Sequence, residues 1–182
     1  EFEVNKDFLI CIDSDGCAFD AMEIKHKECF IPNLIDVWGF QPISKYARET
    51  WEFVNLYSKW RGVNRFHALV KAFDLLGQRK AVAGRGFKVP DLEPLQKWLD
   101  TETAPGNPTL EVEIKKHDND ILKTSLKWSK AVNSTIKKIV HDVPPFPFVR
   151  ESLQKIGQYA DAVVVSSTPI EALEREWKEK TS

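Results

Sequence analysis

Two short apolar runs lie at opposite ends of this chain, and the long segment between them has a helical character. Phe8-Leu9-Ile10-Cys11-Ile12 and Ala162-Val163-Val164-Val165 are each bounded by polar or turn-forming residues, which is the pattern of a buried strand. The first runs directly into Asp13-Ser14-Asp15-Gly16, the second into Ser166-Ser167-Thr168-Pro169. If the two strands pair, a right-handed crossover makes them parallel neighbours and brings both polar ends to one place. In open α/β sheets that place, the carboxyl end of the strands, is where ligands bind. Side chains two apart on extended backbone point to the same side, so Asp13 and Asp15 are able to share a site. Carboxylates held that close repel, and such a pair calls for a proton or a cation. The same four residues also make an ordinary turn after a strand, because Asp and Gly are turn formers. Taken alone, they leave both readings open.

From Ala21 to about Val143 the chain reads as helix. This stretch holds Trp38, Trp51, Trp60, Trp98 and Trp128, five of the six tryptophans. The apolar positions Trp51, Val54, Leu56, Tyr57 and Trp60, then Phe66, Leu69, Val70, Phe73 and Leu76, recur at helical spacing with a break near Gly62. Gly77 is placed to end the second helix. A short helix is expected over 92–99, a loop at 103–108, and a further amphipathic helix through Leu122, Leu126, Val132, Ile136 and Ile139. The tryptophans read as core, since no basic stripe tracks them as a stacking platform would require. The charge-dense segment from Glu111 to Asp120 reads as a solvated face. Val143-Pro144-Pro145-Phe146-Pro147 is a stiff linker. A helix carrying Val149, Leu153 and Ile156 follows it, then the second strand. Thr168, Pro169 and Glu171 have the form of a helix start, with Thr168 as its cap.

Composition narrows the classes. The chain has 182 residues, 42% hydrophobic and 29% charged, with a net charge of -1. That is globular composition, with no global field for nucleic acid or an anionic membrane. No apolar stretch approaches a membrane span. Three cysteines, Cys11, Cys17 and Cys29, fit neither a disulfide framework nor a zinc knuckle, and Cys11 reads as a small core residue. A reduced, cytoplasmic setting is the expectation, although a mature secreted chain would look the same. His26, His67, His117 and His141 lack metal-ligand spacing. Gly84 and Gly86 make a G-x-G without a framing strand and helix, so a nucleotide loop is not expected.

The run F-L-I-C-I-D-S-D-G-C-A-F-D resembles the first motif of the haloacid dehalogenase superfamily: an apolar strand, D-x-D-G, and a further Asp, here Asp20. V-V-V-S-S-T-P is similar to its second motif. P-P-F-P-F-V-R-E-S-L-Q-K-I resembles the segment that re-enters the core after a helical cap, although many members have Gly where Phe148 stands. The resemblance implies an α/β fold, a Rossmann-like core over 1–20 and 144–182 with a large α-helical cap of the C1 type inserted over 21–143. It implies Asp13 as nucleophile, forming an aspartyl-phosphate, and Asp15 as general acid and then base. It implies Mg²⁺ held at Asp13 and Asp15, and a phosphate cradle of Ser166, Ser167 and Gly16 with free N–H groups of the helix near Pro169. An Asp at position 15 favours phosphate chemistry over dehalogenation.

The family's stabilising Lys and its acidic pair normally lie on strands after the second motif, and neither is recognisable here. Lys178 and Lys180 fall on the last helix. The chain is therefore expected to be a fragment that lacks the C-terminal strands of the core and has little activity by itself; the alternative is a partner chain that supplies the missing half. Arg61, Arg65, Arg85 and Lys88 are candidates to meet a substrate from the cap, against a bland reading as solvated or structural basic residues. The expectation is a Mg²⁺-dependent hydrolase or mutase for a small phosphorylated metabolite, with no nucleic-acid or membrane partner. The alternatives are a non-catalytic relative that binds a ligand or partner, and a receiver-like phospho-acceptor domain.

Overall fold

The computed structural model describes residues 3–166, 168, 173, 174 and 176–178. It is mixed α/β and mostly helical, and it divides into two compact units. One unit draws on Glu1–Met22 and Val140–Ser182, the other is Glu23–Ile139.

The first unit holds the sheet. β1 (Leu9–Ile12) and β2 (Asp161–Val164) pair in parallel, in the register Leu9 to Asp161 through Ile12 to Val164. Among the described residues the sheet has these two strands. Asp161 also ties down the preceding chain, its carboxylate accepting from the backbone N–H groups of Asn5 at 2.7 Å and Lys6 at 3.0 Å. The strands are where the apolar runs place them, but they are not buried. Leu9 is 55% exposed, Phe8 69% and Val165 58%, and Cys11 lies on the surface rather than in a core. The reason is geometric: a two-stranded sheet has few neighbours to cover its faces.

The second unit is helical. A short α1 (Met22–Ile24) leads into a π-helical stretch, Lys25–Phe30, and then α2 (Ile31–Val37). α3 (Ser44–Glu52) continues into a second π-helical stretch, Phe53–Tyr57. α4 (Arg65–Gly77) follows, its first turn capped by the Asn64 side chain, which accepts from the N–H of Phe66 at 3.0 Å. α5 (Lys80–Ala83), α6 (Glu93–Thr101), α7 (Asn107–Lys116) and the long α8 (Asp120–Ile139) complete it. Their apolar faces meet in one core around the fully buried Trp51, Trp128, Phe66 and Leu69. Aromatic rings dominate that core, where edge-to-face contacts add to area burial. Trp128 stands edge-on to Trp51 at 5.4 Å and to Phe30 at 5.8 Å. The indole N–H of Trp51 donates to His26 Nδ1 at 3.0 Å, which satisfies two buried polar groups at once.

The chain then returns to the first unit through the proline linker and α9 (Val149–Tyr159), which leads directly into β2. None of the helices among the described residues is long and apolar enough to cross a membrane.

Candidate active site at the carboxyl end of the sheet

The end of β1 folds back on itself because its turn residues allow it. Gly16 takes a φ of +74°, a left-handed conformation that favours glycine, and its N–H donates to the carbonyl of Phe19 at 2.7 Å. The carbonyl of Ser14 accepts from the N–H groups of Ala18 at 3.0 Å and Phe19 at 2.9 Å. Asp13 sits at the strand end, exposed, with its Oδ1 accepting from the N–H of Ser14 at 2.8 Å. The proline linker fastens this turn from outside: the N–H of Phe146 donates to the carbonyl of Ala18 at 3.0 Å, and Phe19 bridges to Pro145. Beneath it, Ala18, Phe19 and Ala21 form a small core with Ile12, Val143, Val149 and Trp177. The Trp177 indole N–H donates to the buried Ser14 hydroxyl at 3.1 Å, and its ring stands edge-on to Phe19 at 5.3 Å.

The parallel register carries the second polar segment to the same end. Ile12 pairs with Val164, and the N–H of Val165 donates to the carbonyl of Ile12 at 2.8 Å, so Asp13 and Ser166 both leave the sheet at its carboxyl edge. One side-chain bond joins the two segments directly. The hydroxyl of Thr168 donates to Asp15 Oδ2 at 2.9 Å. The N–H of Thr168 in turn donates to the Ser166 hydroxyl oxygen at 3.1 Å, which leaves the Ser166 O–H proton to donate elsewhere. Thr168, which the sequence places as a helix cap, thus also orients a carboxylate. Ser167 and the helix start at Pro169 lie outside the described residues.

The donor chemistry at this edge suits a small hard cation. Mg²⁺ takes oxygen ligands and is commonly held by one or two carboxylates together with substrate phosphate and water. Asp13, Asp15 and the backbone carbonyl of Asp15 are donors of that kind, although the described residues contain no group of three or more acidic, histidine or cysteine side chains gathered for a metal.

The four basic candidates of the helical unit differ in their surroundings. Arg61 and Lys88 are exposed. Arg85 donates to the carbonyl of Pro42 at 2.7 Å, with its guanidinium 5.2 Å from the Tyr46 ring centroid. Arg65 is turned inward, with Nη1 bonded to Asn133 Oδ1 at 2.6 Å and Ser129 Oγ at 3.1 Å. No protein-family model, curated protein or solved structure matches this chain.

Proposed function

We propose that this chain carries the nucleophile and acid of a phosphoryl-transfer site of the haloacid dehalogenase type, acting on a small phosphorylated metabolite. What supports the reading is one arrangement: two parallel strands whose polar ends meet, with Thr168 of the second segment holding the Asp15 carboxylate of the first. In this reading the Asp13 carboxylate attacks phosphorus, and the P–O bond to the leaving group breaks as the aspartyl-phosphate forms. Asp15 gives its proton to the departing oxygen, then takes one from the water that hydrolyses the intermediate. Ser166 donates a hydrogen bond to a phosphoryl oxygen. Bound Mg²⁺ would supply neutralisation of the charge that builds on the phosphoryl oxygens beside Asp13. Thr168 acts through Asp15 as a positioning residue.

The test, made on the intact gene product, is hydrolysis of an aryl phosphate ester and a panel of sugar and acid phosphates, with and without Mg²⁺. We expect metal-dependent turnover that Asp13→Asn abolishes and that Asp15→Asn lowers by about a hundredfold or more. Thr168→Val should cost about tenfold in turnover, since it removes the hydrogen bond that holds the Asp15 carboxyl in place. Absence of metal-dependent turnover across the panel would sink the hydrolase reading and leave a non-catalytic ligand- or partner-binding role.

A further inference from the structure

Arg65 opens α4, and its guanidinium is held inside the helical unit by neutral groups alone. Nη1 donates to Asn133 Oδ1 at 2.6 Å, to Ser129 Oγ at 3.1 Å and, more weakly, to the Ser129 carbonyl at 3.4 Å. The guanidinium carbon stands 5.2 Å from the centroid of the Phe30 ring. Ser129 is itself buried and fixed, its hydroxyl donating to Asn107 Oδ1 at 2.6 Å. The acceptors are therefore supplied by α8, with α7 fixing Ser129. Desolvation pulls the Arg65 pKa down to about 10, so the group remains a cation at neutral pH. Among the described residues no carboxylate pairs with it, and its hydrogen bonds all leave from Nη1. A desolvated charge without a countercharge is costly, and a partner of opposite sign relieves the cost. The edge formed by Nε and Nη2 has no protein acceptor among the described residues. That edge is the face of the fork that grips a carboxylate or phosphate with two parallel hydrogen bonds. Neither Nε nor Nη2 of Arg65 is a fully buried unpartnered atom, so the edge is not sealed from solvent.

We propose that Arg65, clamped by Ser129 and Asn133 over Phe30, anchors a binding site in the helical unit for an oxyanion that presents two oxygens to the Nε–Nη2 edge, the carboxylate or phosphate group of a small molecule. The site is independent of the chemistry assigned to Asp13. The experiment follows the Arg65 Nε–H signal in ¹H–¹⁵N spectra of the full chain, assigned by its loss in Arg65→Lys. Sodium acetate and inorganic phosphate are each titrated without Mg²⁺, at ionic strength held constant with chloride. The expected result is a saturable shift of the Arg65 signal, tighter for whichever of the planar or tetrahedral anions fits. Calorimetry should show the affinity for that anion falling tenfold or more in Arg65→Lys, which keeps the charge but loses the fork, and unchanged in Arg85→Lys. A signal that moves no more than in chloride alone, or that never saturates, overturns the proposal. Should Arg65→Lys fold poorly, the wild-type titration decides, since it is read on Arg65 itself, whose Nε–H signal is then assigned by elimination through substitution of the other arginines. Repeating it in Asp13→Asn should leave the curve unchanged, so failure at either site is told apart from failure at the other.

Discussion

The three cysteines show how differently one residue type is treated along this chain. Cys11 and Cys17 are exposed, whereas Cys29 is fully buried in the π-helical stretch before α2, and burial pushes its thiol from 9.0 up to about 11. The thiolate is the reactive form, so at pH 8 the upward shift alone slows Cys29 by about a hundredfold, before access is considered. An aromatic disulfide reagent at pH 8 should therefore modify two thiols quickly and the third only on unfolding. Rapid reaction of all three in the folded protein would contradict the burial. The same contrast between local and distant determinants decides what could be read at the candidate site. Asp13 and Asp15 are legible because their spacing and the apolar run before them are local. The bond from Thr168 to Asp15 spans 153 positions and follows only once β2 lies beside β1. Arg65 stands out in the sequence as one basic residue among several. Its inward turn depends on Ser129 and Asn133, which arrive on another helix.

At the scale of elements, two helix starts make opposite use of their side chains. Asn119 caps α8 well: its Oδ1 accepts from the N–H of Ile121 at 2.9 Å and of Leu122 at 3.2 Å. Asn119→Ala should cost about 1 kcal/mol in denaturant unfolding. Phe148 begins α9 poorly, with a φ of +67°, and the residue is 76% exposed. A left-handed residue with a Cβ costs roughly 1–2 kcal/mol, and glycine gives back part of that in the unfolded chain. Phe148→Gly should thus raise stability by about 0.5–1 kcal/mol, and a lowered denaturation midpoint would refute the strain. α4, α8 and α9 were legible because their apolar residues keep a helical period. α7 was not: its charge density reads as a solvated face, and within it Leu110 alone is fully buried. The two π-helical stretches leave no mark in the period, because an inserted residue is accommodated by packing rather than by propensity. The strands were legible as strands, but their exposure was not, since burial depends on what stands beside them.

The whole molecule joins units of unequal core. The helical unit buries Trp51, Trp128, Phe66, Leu95 and their neighbours in one contiguous cluster. The unit with the sheet has Ala18, Phe19 and Ala21 at its centre, while Phe8, Leu9 and Val165 face outward. Apolar burial is the main favourable term in folding, at roughly 25 cal/mol per Å², so the two units should differ in stability. Unfolding in urea should be sequential, with the sheet opening first. Hydrogen exchange can follow each unit separately. The backbone amides of Leu9 to Ile12 should lose protection at lower urea than those of Leu69 in α4 or Val132 in α8. The helical segment 23–139, expressed alone, should keep its far-ultraviolet spectrum and melt cooperatively, because every residue of its core cluster lies within it. A single transition in which strand and helix amides open together, with an isolated helical segment that fails to fold, would mean that the sheet supplies stability to the helices. In that event substitutions at Asp13 and Asp15 would need stability controls on the helical unit as well. If the units open separately, those substitutions can be read as chemistry, and Arg65 can be titrated while the sheet is varied.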